Sequence, residues 1–175
     1  ELARLTREFQ SLNAISISLS AQSATEALLD LILTRAREIT QSDAGSLYLV
    51  EEDKTGVPRL RFTLVQNDSV PVAFQGATLP VSSQSVAGHV ALTGQILHLE
   101  DAYSPPAGSP FRIDRTYDEQ TGYRSKSMLV VPMKNPKDEV IGVLQLINHK
   151  AEPARRLASP EAVERETFPF PARFH

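Results

Sequence analysis

The chain contains no cysteine. That excludes disulfides, cysteine zinc sites, thiol catalysis and attachment of a chromophore through sulfur. It also fits a cytoplasmic setting. There is no basic surplus: the formal net charge is -3, so nothing draws the chain to nucleic acid or an anionic membrane. No apolar run approaches the ~20 residues that span a bilayer. Residues 1–20 are amphipathic rather than a basic start followed by an apolar core, so they do not read as a signal peptide. No Gly-x-Ser-x-Gly elbow offers a nucleophile, and no Gly-x4-Gly-Lys-Ser/Thr loop offers a triphosphate cradle. Sequence motifs therefore give no direct sign of an enzyme. His89 and His98 lack the paired spacing of a metal site.

What is present suits one domain with a hydrophobic core: 175 residues, 41% hydrophobic and 22% charged. The chain opens on Glu1 rather than Met, which reads as a piece of something longer. Residues 1–19 predict a helix, with Leu2, Leu5, Phe9, Leu12 and Leu19 at 3–4 spacing and Ser16 interrupting the seam. That seam either pairs with a second copy or packs on its own domain. Residues 1–20 are accordingly read as a signalling and dimerisation helix, and 21–175 as the folded domain. Ser23, Ala24, Thr25 and Glu26 spell a capping box, predicting a second helix to about residue 39. Its expected core face is Leu28, Leu31, Ile32 and Ile39.

Residues 47–50 predict a strand apolar on both faces, hence central. Leu60, Phe62 and Leu64 alternate with Arg61 and Thr63 in a half-buried strand. Residues 70–83 read as irregular or edge structure. A helix is expected over 86–93, closed by Gly94, then a short strand at 96–100. Residues 112–122 are polar, with a brief helix at most. Two strands flank "KNPKD" and predict an antiparallel hairpin. No closing helix follows Lys150. Hairpin links without a βαβ rhythm give the α+β class.

Three places hold candidate chemistry. Ser82, Ser83 and Ser85 crowd the start of the 86–93 helix, where Ala87 and Gly88 leave room beside the backbone. Such a start is either an anion site built from free N–H groups or a serine-capped helix packed closely at Gly88. The stretch 101–123 adds Asp101, Tyr103, Asp114, Asp118, Glu119 and Thr121. Its carboxylates form either a metal or acid–base site, or a solvated face. Gln145 alternates with Val143 and Ile147, which points its amide to an apolar face; a loop or a ligand must satisfy it.

In combination, "SVAGHVALTGQILHLEDAY", "TGYRSKS" and "IGVLQLINHK" resemble a GAF domain. They are most similar to the GAF domains that regulate cyclic nucleotide phosphodiesterases and to bacterial signalling relatives. The likeness runs over residues 26–150. It implies a six-stranded antiparallel sheet with helices on both faces. It also implies a pocket roofed by the helix at Val86 and the segment 101–122. Carried over position by position, it assigns the cyclic phosphate to the Val86 and Ala87 amides, with Ser85 and Gly88 beside them among the ligand-binding residues, and a base to Ser46. Asp101, Tyr103, Phe111, Asp118, Thr121 and Ser125 fall on the roof and the following strand, and Gln145 faces the ligand. A phenylalanine–aspartate pair that contacts the base in some members is replaced by Gln66 and Asn67. The family's bridge from its lysine, here Lys150, to a distal aspartate has no acid to reach, because Pro171 and Ala172 stand there.

The function implied is a regulatory sensor with no cofactor of its own. It would bind a small ligand, a purine cyclic nucleotide (cGMP or cAMP) first among candidates, and control a covalently linked output domain. A homodimer through the N-terminal helix is the expected assembly. The competing reading is a GAF-fold dimerisation or interaction module without a nucleotide. A methionine sulfoxide reductase chemistry on this fold is rejected by the zero cysteine count.

Overall fold

The computed structural model describes residues 2–72 and 76–174, with side chains described from residue 20. The chain divides into residues 1–32 and residues 33–175. A single helix, α1 (Leu2–Thr40), begins in the first and ends in the second. The side chains of the predicted seam Leu2, Leu5, Phe9, Leu12 and Leu19 lie outside the described residues.

Two expectations fail on α1. The capping box at Ser23 and Glu26 caps nothing, because the helix runs through it. There Thr25 Oγ1 donates to the Ala21 carbonyl at 2.9 Å and Gln22 pairs with Glu26 at 3.2 Å, both i to i+4 contacts of a helix interior. The expected core face is also exposed: Leu28 56%, Leu31 50%, Ile32 37% and Ile39 67%. Among the described residues of this helix, Leu33 is the one that is fully buried, its Cδ1 close to Gly45.

Among the described residues seven strands follow: β1 (Ser42–Glu52), β2 (Pro58–Asn67), β3 (Thr78–Pro80), β4 (Leu97–Leu99), β5 (Met128–Lys134), β6 (Val140–Lys150) and β7 (Thr167–Phe168). Their order across the sheet is β3-β2-β1-β6-β5-β4, all antiparallel, with β7 added to the end of β6. β1 is central, as its double-sided apolar run predicts. The end of α1 covers one face at Gly45. The helix α2 (Val86–Thr93) covers the other, where Val86, Ala87 and Val90 share a core with Leu60, Val130 and Val143. A short helix α3 (Thr116–Thr121) ends at Gly122, whose φ of 71° is left-handed.

β2 corrects a third expectation. Leu47 pairs with Leu64 but Tyr48 pairs with Phe62, so Thr63 is an extra residue in β2. One extra residue reverses which side each following residue faces. Leu60 and Phe62 therefore face α2. Leu64 and Gln66, opposite Leu47 and Gly45, face α1. Contrary to the expectation of no helix after Lys150, a two-turn helix, α4 (Pro160–Glu166), stands after β6. Ser159 caps it and Pro160 opens it, the arrangement favoured at a helix start.

Candidate functional site

The start of α2 is built by its own serine. Ser85 is extended (φ -109°, ψ 153°) and its Oγ accepts the Gly88 N–H at 3.1 Å. Arg112 crosses beside it: its N–H donates to the Gln84 carbonyl at 3.1 Å in a parallel bridge with Ser85. The Val86 and Ala87 amides begin the helix ahead of the capped Gly88 amide. Gly88 corrects the expectation of room for a ligand. A Cβ there would meet the Ser82 carbonyl oxygen at 2.3 Å, so the space belongs to the chain's own loop.

The sheet opposite carries a polar pair. Ser46 on β1 and Gln145 on β6 are register partners, and Ser46 Oγ donates to Gln145 Oε1 at 3.2 Å. This meets one of the demands of the half-buried amide. Its nitrogen has no partner among the described residues. Beside Ser46, Tyr48 and Phe62 stack with ring centroids 5.0 Å apart. Burial pushes the Tyr48 hydroxyl up to about 12; its Ser46 hydrogen bond works the other way and Asp114 adds to the rise. Sequence reasoning missed this aromatic pair because the bulge at Thr63 was not legible. Gln66, expected at a base-contacting position, instead bonds Arg37 and Thr34 on the α1 face. Asn67 caps Ser69 and Val70.

The roof segment is tied down internally. Asp118 is buried and accepts from the Tyr103 hydroxyl at 2.6 Å, the Ser125 amide at 2.7 Å and the Ser125 hydroxyl at 2.9 Å. Both Asp101 carboxylate oxygens accept from Arg124 Nη2, at 2.8 and 2.9 Å. The guanidinium carbons of Arg115 and Arg124 each lie 3.9 Å from the Tyr103 ring centre. Burial, then the Asp118 carboxylate, pushes the Tyr103 hydroxyl up to about 12. Thr121 bonds the Tyr117 carbonyl one turn back. Phe111 is buried in the α2 core, against His89. The structure thus gathers Asp101, Tyr103, Asp118 and Ser125 into one network, and Ser46 with Gln145 into another. The carboxylates form a strut, and among the described residues no acidic or histidine group is placed to hold a metal.

A buried ionic centre on the α1 side was not foreseen as such. Lys150 Nζ lies 2.7 Å from Asp43 Oδ1, with side chains 2% and 0% exposed. Asp43 also accepts from the Tyr123 hydroxyl at 2.7 Å and from Ser69 Oγ. Lys150 also donates to the Arg155 carbonyl, and Ser69 Oγ accepts the Leu157 amide. The lysine that lacks its distal acid has taken one from β1.

Among the described residues no helix is long and apolar enough to cross a membrane. The dual 3',5'-cyclic-AMP and -GMP phosphodiesterase 11 of Drosophila melanogaster is 30% identical over 132 residues, 73% of this chain and 9% of that protein. The chain therefore spans about a tenth of the length of that relative. Of solved structures, an NreA protein from Staphylococcus aureus mutated in its nitrate binding site aligns with a TM-score of 0.54 and 18% identity. The alignment covers 76% of this chain and 91% of that one. The GAF domain of A. aeolicus nlh2 gives 0.53 at 15% identity, over 80% and 74%. These two likenesses concern the fold. Residues 24–164 match the GAF domain, and the chain belongs to that family of sensor and regulatory domains.

Proposed function

We propose that this GAF domain is a cytoplasmic regulatory sensor. Its ligand is a small molecule, a purine cyclic nucleotide first among candidates, and its occupancy controls a covalently linked output domain. The observation that carries the reading is the Ser46–Gln145 pair on the sheet face covered by α2. It puts a hydroxyl and an amide with spare capacity at one end of an apolar layer, and the Ala87 N–H belongs to the helix start above that layer. A planar base with a polar edge and an anionic tail has that distribution. The relative named for cyclic AMP and cyclic GMP supports the same class.

Calorimetric titration of cGMP and cAMP tests it. Gln145→Leu should weaken binding while leaving the unliganded domain as stable or more so, because an amide leaves an otherwise apolar face. Ala87→Pro should cost roughly 10- to 100-fold in affinity, the value of one hydrogen bond to a charged group. Proline suits the first turn, so the fold should survive. Absence of binding and of any thermal shift with either nucleotide at saturating concentration sinks the reading, since a bound ligand must stabilise by RT ln(1 + [L]/Kd).

A second reading, a dimerisation or interaction module without a nucleotide, has its own support. Val86, Ala87 and Phe111 are 4%, 2% and 4% exposed, so the chain's own side chains fill the face beneath α2. Dimerisation serves both readings. The exposed Leu28, Ile32 and Ile39 recur at four and seven residues along α1, a spacing that forms one stripe. We assign residues 1–20 and this stripe to contact with a second copy. Light scattering should give a dimer for the full chain and a smaller mass once residues 1–20 are removed. A monomer at high concentration in both cases refutes it.

A further inference from the structure

Two histidines on different strands converge on one buried side chain near the C-terminus. Phe170 is 2% exposed. Its backbone N–H donates to His98 Nε2 of β4 at 3.2 Å, and the two rings meet edge-on with centroids 6.3 Å apart. The ring of His149, on β6, lies 5.5 Å from the same phenylalanine. Two residues earlier, Phe168 pairs with His149 in the β6–β7 ladder.

The hydrogen bonds fix which nitrogen of each ring carries a proton. An amide N–H can only donate, so His98 Nε2 must be bare. The Thr40 carbonyl can only accept, and it lies 2.8 Å from His149 Nδ1, so that nitrogen bears the hydrogen. A second proton therefore acts oppositely on the two rings. On His149 it fills the remaining nitrogen and leaves the bond to Thr40 intact. That carbonyl belongs to the C-terminal end of α1, where a positive charge is favoured. On His98 it converts the acceptor of the Phe170 amide into a donor, and two N–H groups then oppose each other.

The geometry points to a proton-released strap: the segment around Phe170 is held on the sheet by neutral His98 and detaches when that ring is protonated. Histidine is the side chain whose ordinary titration falls between pH 5 and 8. The titratable and charged groups on the bordering elements are Glu100 after β4, Lys126 before and Lys134 at the end of β5, His149 and Lys150 of β6, Glu161, Glu164, Arg165 and Glu166 of α4, and Arg173 beyond Phe170. Lys126 is engaged by Glu164 at 2.6 Å, Glu166 by Arg155 at 3.0 Å, and Arg173 lies over the Phe174 ring. Because His149 touches both Thr40 and Phe170, release also separates the C-terminal segment from the end of α1. The device stands whichever ligand the α2 face takes.

The test is amide exchange of the full chain by NMR, read as protection factors so that the intrinsic effect of pH is removed. Between pH 7.5 and 5.0 the Phe170 amide should lose at least tenfold in protection, with a midpoint matching the titration of the His98 ring. Val130 and Leu144 in the sheet should keep theirs. His98→Gln offers an acceptor oxygen that does not titrate, and should hold Phe170 at both pH values. His98→Phe should leave it weakly protected at both. The proposal is overturned if the glutamine variant loses protection as the parent does. It is equally overturned if the parent keeps full protection after His98 is protonated, or if that ring stays neutral down to pH 5.0. Should either variant fail to fold, the titration of the parent chain decides alone.

Discussion

Replacing Lys150 by methionine should lower the stability of the domain by about 3–5 kcal/mol, the range for removing one partner of a buried ion pair. The methionine fills most of the volume, so the loss is electrostatic. Asp43 is fully buried and would be left with Tyr123 and Ser69, two neutral donors, and no cation at 2.7 Å. The Arg155 carbonyl would lose its donor as well. Urea unfolding of the parent, Lys150→Met, Asp43→Asn and the double variant measures this. The double variant should recover part of the loss, because an amide at position 43 can still accept from Tyr123 and Ser69 without carrying an unpaired charge. A deficit below about 1 kcal/mol for Lys150→Met would place the pair with exposed salt bridges, which contribute little, and would contradict its burial.

That pair also marks the limit of what the sequence discloses. Elements set by neighbouring residues were legible. The helix expected over 86–93 is α2, because Ser85 and Gly94 cap it within its own turns: one accepts the Gly88 amide, the other adopts a φ of 63°. The β5–β6 hairpin follows from Asn135, whose side chain accepts the Lys137 and Glu139 amides. The capping box at Ser23 misled for the same local reason. Serine and glutamate cost only tenths of a kcal/mol inside a helix, so a start signal there is not binding on a chain that continues helical on both sides. Periodicity also fails across a bulge. Counting by twos from Leu60 carries Gln66 to the α2 face, whereas the extra residue at Thr63 sends it to Arg37. Asp43 and Lys150 are 107 positions apart, and no spacing rule reaches that far. Gln145 and Ser46 stand side by side because β1 and β6 keep an unbroken register there. The roof carboxylates were found as residues, but their partners were not: Asp118 spends its hydrogen bonds on Tyr103 and Ser125.

The glycine of the α2 start separates packing from ligand access by a single substitution. On an exposed helix, glycine to alanine gains up to about 1 kcal/mol from propensity. Gly88→Ala should do the opposite here. Its added carbon would sit 2.3 Å from the Ser82 carbonyl oxygen and 2.7 Å from Ser85 Oγ. The first contact is with backbone and cannot rotate away; relieving such overpacking costs about 1–3 kcal/mol. The second displaces the cap that holds the Gly88 amide, worth about 0.5–2 kcal/mol. Together the two predict a loss of about 1.5–5 kcal/mol. For a domain of this size that lowers the melting temperature by roughly 2–4 °C per kcal/mol. Ser85→Ala, which removes the cap without the clash, should lose only the smaller part. Thermal melts of both variants without any ligand decide the matter. If Gly88→Ala melts with the parent and its defect appears only as weaker binding, the glycine keeps a path open for a ligand and the loop at Ser82 yields to it. If it melts well below Ser85→Ala, the glycine is there so that the serine loop can lie against the helix. The start of α2 is then a packed and capped end.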